Sequence, residues 1–198
     1  DAPLDNAGFR WLSARQISIA GHDVWALRMS YAGELGWELN GPAENMLSVY
    51  DALWAAGEAH GIPNYGSFAM NAMRMEKGFK GAGELTNEVT LPEADVMRFV
   101  NLETGDFIGR DETIASQQAA EAGTMPWICA YLAIDVDGHG GYAVMHDGRV
   151  VGSTSPVAYE HAVSKALAFA YVEPEAAAPG TAFEVLARNE ARLGEATW

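Results

Sequence analysis

The second half of the sequence alternates short apolar runs with turn residues, and this pattern limits the possible fold more than any other feature. Glycines and prolines punctuate this half of the chain, which contains four such runs: WICAYLAIDV, YAVMHDGRVVGSTSPVAY, KALAFAYV and TAFEVLA. The Asp147-Gly148 pair between apolar residues is a strong hairpin signal. Short strands at even spacing predict a small antiparallel barrel or sandwich.

The first half of the sequence mixes strand and helix patterns. Period-two alternation predicts strands in ARQISIAG, VWALRMSY and GWELN, and a short strand is predicted in MRFVNL. An apolar stripe at helical spacing from Met46 to Trp54 predicts a first helix, which has Pro42 in its first turn and is ended by Gly57 and His60-Gly61. A second helix is predicted from Ser67 to Lys77, with Gly78 as the residue that ends it. This half therefore has the mixed content of an α+β fold.

A change of composition separates the two halves. The polar segment ETGDFIGRDE follows the last predicted strand of the first half, and a short polar helix is predicted from Asp111 to Ala122. We therefore predict an α+β domain over residues 1–104. We predict a helix followed by a small antiparallel β-barrel over residues 105–198.

Composition excludes several classes of partner. The 198 residues include 12 Lys and Arg against 27 Asp and Glu, a formal charge of −15, which repels phosphate backbones and anionic lipids. We expect neither a nucleic-acid nor a membrane partner, and the sequence leaves the oligomeric state open.

The single cysteine, Cys129, lies among apolar residues and is expected in the core. It fits a reducing compartment, and we expect a cytoplasmic protein. The five histidines include no pair at helical metal-ligand spacing, so no metal site is predicted.

The segment RMSYAGELGWELN places a carboxylate, Glu34, between Gly33 and Gly36. Two interpretations are open. The glycines can form an ordinary turn whose glutamate faces water. Alternatively, they let the backbone approach a ligand closely and direct Glu34 into a pocket, where a carboxylate accepts paired N–H bonds.

The segment MNAMRMEKGFKGAGEL places Arg74 near the end of an apolar helix, followed by a glycine-rich loop. Two interpretations are again open. Arg74 can pair with a neighbouring acid such as Glu76 or with the helix terminus. Alternatively, Arg74 and Glu34 can be a base and an acid that flank a common ligand.

Three motifs in this order, SYAGELGWEL, MNAMRMEKG and GDFIGRDE, resemble the tetrahydrofolate-binding aminomethyltransferase family of the glycine-cleavage T-protein. The later DGRVVGSTSPVAYEHAVSKALAFAYV resembles the terminal barrel of that family. The chain looks closer still to the C-terminal half of dimethylglycine and sarcosine dehydrogenases. The resemblance covers nearly the whole chain.

The resemblance implies a role in one-carbon transfer. Glu34 matches the glutamate that binds the amino-pyrimidine edge of the pterin, Arg74 matches an arginine of the folate pocket, and Tyr31 is assigned to folate with them. The implied reaction transfers a one-carbon unit to tetrahydrofolate and gives 5,10-methylene-tetrahydrofolate. FAD is expected in another part of the parent protein, and an N-methyl amine is the expected substrate. Other functions left open are a stand-alone T-protein, a methyl-sulfonium demethylase and a non-catalytic interaction domain.

Two features depart from the family pattern. Ala82 stands eight positions after Arg74, where the family commonly has an aromatic residue. The chain opens with Asp1-Ala2, and the family fold starts well before this point, so we expect a piece of a longer enzyme. The family aspartate that acts at folate would lie upstream. No catalytic base is therefore named, and the isolated chain is expected to be inactive.

Overall fold

The computed structural model describes residues 3–135, 138–187 and 190–197, with side chains up to residue 186. The chain forms two compact units, Asp1–Met73 and Arg74–Trp198. Residues 74–104 belong to the second unit because several of their groups bond to the barrel strands, as shown below. The domain boundary near residue 104 stays a prediction.

The first unit contains a three-stranded antiparallel sheet of order β1-β2-β3, formed by Ala14–Ile19, His22–Leu27 and Glu38–Asn40. Ile19 pairs with His22, so a two-residue turn joins β1 to β2. Both turn residues, Ala20 (φ 53°) and Gly21 (φ 80°), have positive φ, as a type I′ hairpin turn requires.

Strand β2 ends at Leu27, so the predicted strand through Tyr31 is too long. The backbone leaves the ladder at Arg28, whose N–H donates to Ser13 O, and Met29 N–H then turns back to Leu27 O. The alternation of buried and exposed side chains nevertheless continues as far as Arg28. Val24, Ala26 and Arg28 are buried, whereas Trp25 is exposed.

Helix α1 spans Ala43–Gly57 and confirms the first predicted helix. Pro42 stands immediately before it, where the missing proline N–H costs no helical hydrogen bond. Of the predicted apolar stripe, Val49 is buried. Met46 is half-buried. Four other large side chains of the stripe are exposed by 40% or more, namely Leu47, Tyr50, Leu53 and Trp54.

Helix α2 spans Ser67–Glu76 and ends as predicted at Gly78. Gly78 has φ 68°, its N–H donates to Met75 O, and the N–H of Phe79 donates to Arg74 O. This pair of bonds is a Schellman motif, which satisfies two carbonyls at the end of the helix. The loop that follows contains a 3₁₀ turn at Met97–Phe99, so the strand predicted in MRFVNL is wrong.

Helix α3 spans Arg110–Glu121 and leads into the barrel. The barrel strands are β4 Ile128–Ile134, β5 Ala143–His146, β6 Arg149–Glu160, β7 Lys165–Val172, β8 Ala182–Ala187 and β9 Glu190–Thr197. They close in the order β4-β7-β6-β5-β8-β9, with β9 pairing to β4. Antiparallel pairing throughout confirms the predicted barrel. Closure removes the free sheet edges that could otherwise pair with other chains.

The barrel core contains small and branched apolar side chains from alternate strand positions. Its largest members include Leu132, Ile134 and Phe183, each at most 1% exposed. The register of β6 against β7 shifts between Thr154 and Val157. Pro156 lies in this bulge, which is the position in a paired strand that tolerates a residue with no N–H.

Gly152 allows strands β6 and β7 to approach closely. A Cβ atom at Gly152 would lie 2.0 Å from Tyr171 O and 2.9 Å from the Tyr171 carbonyl carbon. Because these are backbone atoms, they can only move if the ladder moves. Gly152→Ala should therefore lower the free energy of unfolding by about 1 to 3 kcal/mol, measured by urea unfolding.

Gly66→Ala is the control for this substitution. Nothing lies within 4 Å of a Cβ at Gly66, and its φ is not in the left-handed region. That variant should stay within ~0.5 kcal/mol of the unmodified chain. Equal stability of the two variants would contradict the close approach at Gly152.

Candidate functional site

The Gly-Glu-Leu-Gly segment forms a turn that displays two side chains. Gly33 has φ 73°, and its N–H points to Ser30 O at 3.4 Å. A Cβ at Gly36 would lie 3.0 Å from the Ser30 Cβ, a tight contact, and the positive φ of Gly33 is one that glycine adopts without strain. Tyr31 and Glu34 are both exposed on this turn. The structure thus brings these two predicted residues onto one short segment of the first unit.

The buried guanidinium of Arg28 supports the segment from which this turn starts. It donates to Phe9 O and Asn6 Oδ1 and lies 3.5 Å from Asp5 O. It also lies 5.8 Å from the ring centroid of Trp37, a favourable cation–π distance. Arg28 precedes the turn and Trp37 follows it, so this contact joins the two ends of the segment. The sequence pattern indicated only that Arg28 belongs to the same strand face as Val24.

Arg74 is buried in the second unit, where it forms an ion pair with Glu84. Arg74 is 4% exposed and Glu84 is fully buried. Arg74 Nη1 lies 2.7 Å from Glu84 Oε2, and Nη2 lies 3.3 Å from Oε1. Arg74 Nη1 also donates to Phe79 O at 2.8 Å. The bidentate geometry is the strongest form of this pair.

Glu84 also joins the glycine-rich loop to the barrel. Its Oε2 accepts a hydrogen bond from Gly81 N–H at 2.6 Å, and its Oε1 accepts one from Ser155 Oγ at 2.7 Å. Its backbone oxygen accepts a bond from the Tyr171 hydroxyl at 2.8 Å. A buried carboxylate with all these donors is compensated for its loss of hydration.

Sequence reasoning missed Glu84 as the partner of Arg74. Glu76, the neighbouring acid considered above, lies 3.6 Å from Lys77 Nζ. The sequence did contain a signal for this partner, because Glu84 is the acidic residue within the glycine-rich loop itself. The large apolar side chains Phe79, Leu85 and Leu91 in and after this loop are each at least 38% exposed.

Cys129 lies in the core, as predicted, and is 4% exposed. Burial raises the pKa of its thiol to about 11, which keeps the sulfur neutral and a poor nucleophile. Burial likewise raises the pKa of Tyr171 above its ordinary value, so its hydroxyl remains a donor to Glu84.

Within the described residues, no group of three His, Cys, Asp or Glu side chains could hold a metal ion. No helix in the described part of the chain combines the length and hydropathy of a membrane span.

Two family models match the chain. The GCVT N-terminal domain matches residues 1–104, and the glycine cleavage T-protein C-terminal barrel domain matches residues 129–197. Together they cover both the glycine turn of Glu34 and the barrel.

Curated relatives include a dehydrogenase and a transferase. Human mitochondrial dimethylglycine dehydrogenase is 39% identical over 92% of this chain and 21% of its own length. The aminomethyltransferase of Streptomyces coelicolor is 33% identical over 91% of this chain and 49% of its own length. The chain therefore spans about a fifth of the first relative and about half of the second.

A solved structure shares the fold. Glycine cleavage system aminomethyltransferase T from Bartonella henselae matches with a TM-score of 0.79 at 18% identity. The match covers 88% of this chain and 48% of that one. An α+β arrangement that ends in an antiparallel barrel is therefore common to both.

Removing the Glu84 charge tests the buried pair. Glu84→Gln leaves the Arg74 guanidinium buried without its counter-charge, which should lower the free energy of unfolding by about 3 to 5 kcal/mol. Urea unfolding monitored by circular dichroism measures the loss. Glu88→Gln, at an exposed position of the same loop, is the control and should change stability by less than ~0.5 kcal/mol. Similar stability of the two variants would show that the ion pair contributes little.

Proposed function

Because this chain belongs to the glycine cleavage T-protein family, we propose that it is the folate-binding, one-carbon-transfer portion of a longer enzyme. The parent would be a flavin-linked dehydrogenase of dimethylglycine or sarcosine. This portion would transfer the released one-carbon unit to tetrahydrofolate and give 5,10-methylene-tetrahydrofolate. The identity to human dimethylglycine dehydrogenase supports this choice of parent.

The observation that carries the proposal is the exposed carboxylate of Glu34 on a turn in which Gly33 has positive φ and Gly36 lies close to Ser30. A pterin presents adjacent N–H donors on its amino-pyrimidine edge, and a carboxylate accepts such donors in pairs. Tyr31 on the same segment offers an aromatic ring to a flat heterocycle. The residues present therefore support a pterin site, in which Glu34 would hold the edge of the ring system and Tyr31 would contact its face.

Arg74 enters the proposal in a different way. Its guanidinium is committed to Glu84 and to Phe79 O, so its support for folate is exerted through the loop that these bonds order. The loop includes Ala82, which is exposed where the family commonly has an aromatic residue.

Tetrahydrofolate supplies the nitrogen atoms that take up the one-carbon unit. The residues of this chain would bind and orient it, and shielding from water protects a reactive iminium from hydrolysis. No residue of the chain is assigned as a catalytic base. FAD would act in another part of the parent on the N-methyl amine. Because the chain spans half of the Streptomyces aminomethyltransferase, the isolated 198 residues are expected not to turn over substrate.

A stand-alone aminomethyltransferase is the second candidate, and the match to the Streptomyces enzyme favours it. The two candidates share the folate site and differ in the presence of a flavin domain. We expect small-molecule partners in both cases, namely folate and an amine. A cytoplasmic location stays a prediction, since the human relative is named as mitochondrial.

Glu34→Gln in the parent enzyme tests the pterin contact. The amide replaces one acceptor oxygen with a donor that faces the donors of the pterin. The loss of a charge-assisted pair should cost about 2 to 4 kcal/mol, a roughly 30- to 1000-fold rise in the Kd of tetrahydrofolate. Calorimetric titration measures the affinity.

Glu38→Gln is the matched control, because Glu38 is also exposed but lies at the start of β3. Its affinity for tetrahydrofolate should be nearly that of the unmodified enzyme. If Glu34→Gln binds as tightly as the unmodified enzyme while folded, Gly33–Gly36 is an ordinary solvent-facing turn.

A further inference from the structure

Three segments of the first unit meet at one end of its sheet. In the strand register Ala14 pairs with Leu27, and Leu27 pairs with Glu38. The loop before β1, the segment after β2 and the Gly-Glu-Leu-Gly turn before β3 therefore all lie at this end. The turn displays the two side chains that the proposed function assigns to the pterin. The loop formed by residues 10–13, the 10–13 loop, has no role in that assignment.

Arg28 holds the 10–13 loop beside the segment that follows β2. Its backbone oxygen accepts a hydrogen bond from Leu12 N–H at 3.0 Å, and its N–H donates to Ser13 O at 2.9 Å. Ser13 N–H closes the loop on Arg10 O at 3.2 Å. The Arg28 guanidinium donates to Phe9 O, immediately before the loop. Because Arg28 also leads into the glycine turn, these bonds place the loop next to that turn.

The 10–13 loop displays two large apolar side chains to solvent. Trp11 is 72% exposed and Leu12 is 65% exposed. Leu12 has φ 57°, a left-handed conformation that a residue with a side chain adopts only at a cost in free energy. Burial does not offset this cost, because the leucine side chain is exposed. An exposed apolar pair on strained backbone, next to a proposed ligand site, is typical of a binding surface.

The 10–13 loop also carries a positive charge. Residues 1–73 contain no lysine and three arginines, namely Arg10, Arg15 and Arg28. Arg28 is buried, and the Arg15 guanidinium lies 5.2 Å from the centroid of the Phe9 ring. Arg10 is exposed and precedes Trp11 directly. The loop therefore offers a cation beside an aromatic ring, in a chain whose formal charge is −15.

The pterin contacts of Tyr31 and Glu34 leave the second half of tetrahydrofolate unassigned. In this half, a p-aminobenzoyl ring carries a glutamate with two carboxylates. An aromatic ring stacks on an indole, and apolar side chains pack against its edge. A guanidinium pairs with carboxylates. The pterin has no negative charge, so a surface that combines Trp11 with an exposed arginine fits the second half of the ligand better than the first.

We propose that the 10–13 loop is a binding subsite for the p-aminobenzoylglutamate half of tetrahydrofolate. The inference rests on the proposed function, because the contacts of Tyr31 and Glu34 with the pterin bring this half of the ligand to the same end of the sheet. Trp11 stacks on the benzoyl ring, Leu12 packs against the edge of that ring, and Arg10 pairs with a carboxylate of the glutamate.

Two ligands separate this subsite from the pterin contact. Tetrahydrofolate carries both halves, whereas 6-methyltetrahydropterin lacks the p-aminobenzoylglutamate. Calorimetric titration of the full-length enzyme that contains this chain measures the Kd of each ligand. Trp11→Ala should raise the Kd of tetrahydrofolate roughly 5- to 30-fold through the loss of stacking, and it should leave the Kd of 6-methyltetrahydropterin unchanged. Glu34→Gln should weaken the binding of both ligands.

Three further variants serve as controls, and circular dichroism checks that each is folded. Arg10→Gln should raise the Kd of tetrahydrofolate roughly 2- to 5-fold, as expected for an exposed ion pair, and salt should reduce the difference. Trp11→Phe keeps a flat ring and should bind both ligands nearly as the unmodified enzyme does. Trp25→Ala removes another exposed tryptophan of the first unit, which lies within β2 opposite Gln16 and Asn40. It should leave both affinities unchanged.

Leu12→Gly separates binding from stability. Glycine adopts positive φ without strain, so this variant of the 198-residue chain should unfold at the same or a higher urea concentration than the unmodified chain. In the full-length enzyme the same substitution should weaken tetrahydrofolate, because the apolar contact is lost. A purely structural role of Leu12 would instead lower the stability and leave the affinity unchanged.

The proposal is overturned if Trp11→Ala weakens both ligands equally, or if it leaves the affinity for tetrahydrofolate unchanged while Glu34→Gln weakens it. In the second case the proposed function stands without the subsite. If Trp11→Ala weakens tetrahydrofolate alone and Glu34→Gln binds like the unmodified enzyme, the subsite stands and the pterin contact of Glu34 is wrong. An unmodified enzyme that binds no tetrahydrofolate would overturn both.

Discussion

The arrangement of the second unit depends on the hydrogen bonds and the ion pair that the buried Glu84 carboxylate forms. It is fully buried and accepts bonds from Arg74 on α2, from Gly81 in the loop and from Ser155 on β6. A buried charge with this set of donors is stable only while the donors stay in place. The position of the glycine-rich loop follows from this requirement. A Cβ at Gly83 would lie 2.7 Å from Pro156, so the loop can contact the bulge of β6 only with glycine there.

The charged residues of the chain divide into two classes with different tasks. Arg28, Arg74 and Glu84 are buried and satisfied by protein groups, so they order the backbone around them. Glu34 is exposed on a turn, and in the proposed function its carboxylate meets the pterin. The proposed pterin contact therefore rests on the displayed side chains of Tyr31 and Glu34 in the first unit.

Sequence patterns predicted the elements whose signals are local. Alternation and turn residues indicated β4 to β8, helical spacing indicated α1, and the cap at Gly78 followed from its position after α2. Strand β9 was missed because EARLGEAT is charged and has few β-branched or aromatic residues. Its place in the barrel is set by pairing with β4 and β8. The glycine turn of Glu34 was also recognised locally, whereas the partner of Arg74 was not. The bond that fixes Glu84 on the barrel joins it to Ser155, 71 residues away, and no local pattern reports such a contact.

A double-mutant cycle between Arg74 and Glu84 measures whether these two residues act as one unit. The free energies of unfolding of Arg74→Met, Glu84→Gln and the double variant would be compared with that of the unmodified chain by urea unfolding. If the pair orders the loop as described, the double variant should be less destabilised than the sum of the single variants by about 2 to 3 kcal/mol. If the loss in the double variant equals the sum of the two single losses to within ~0.5 kcal/mol, the central role of this ion pair is contradicted.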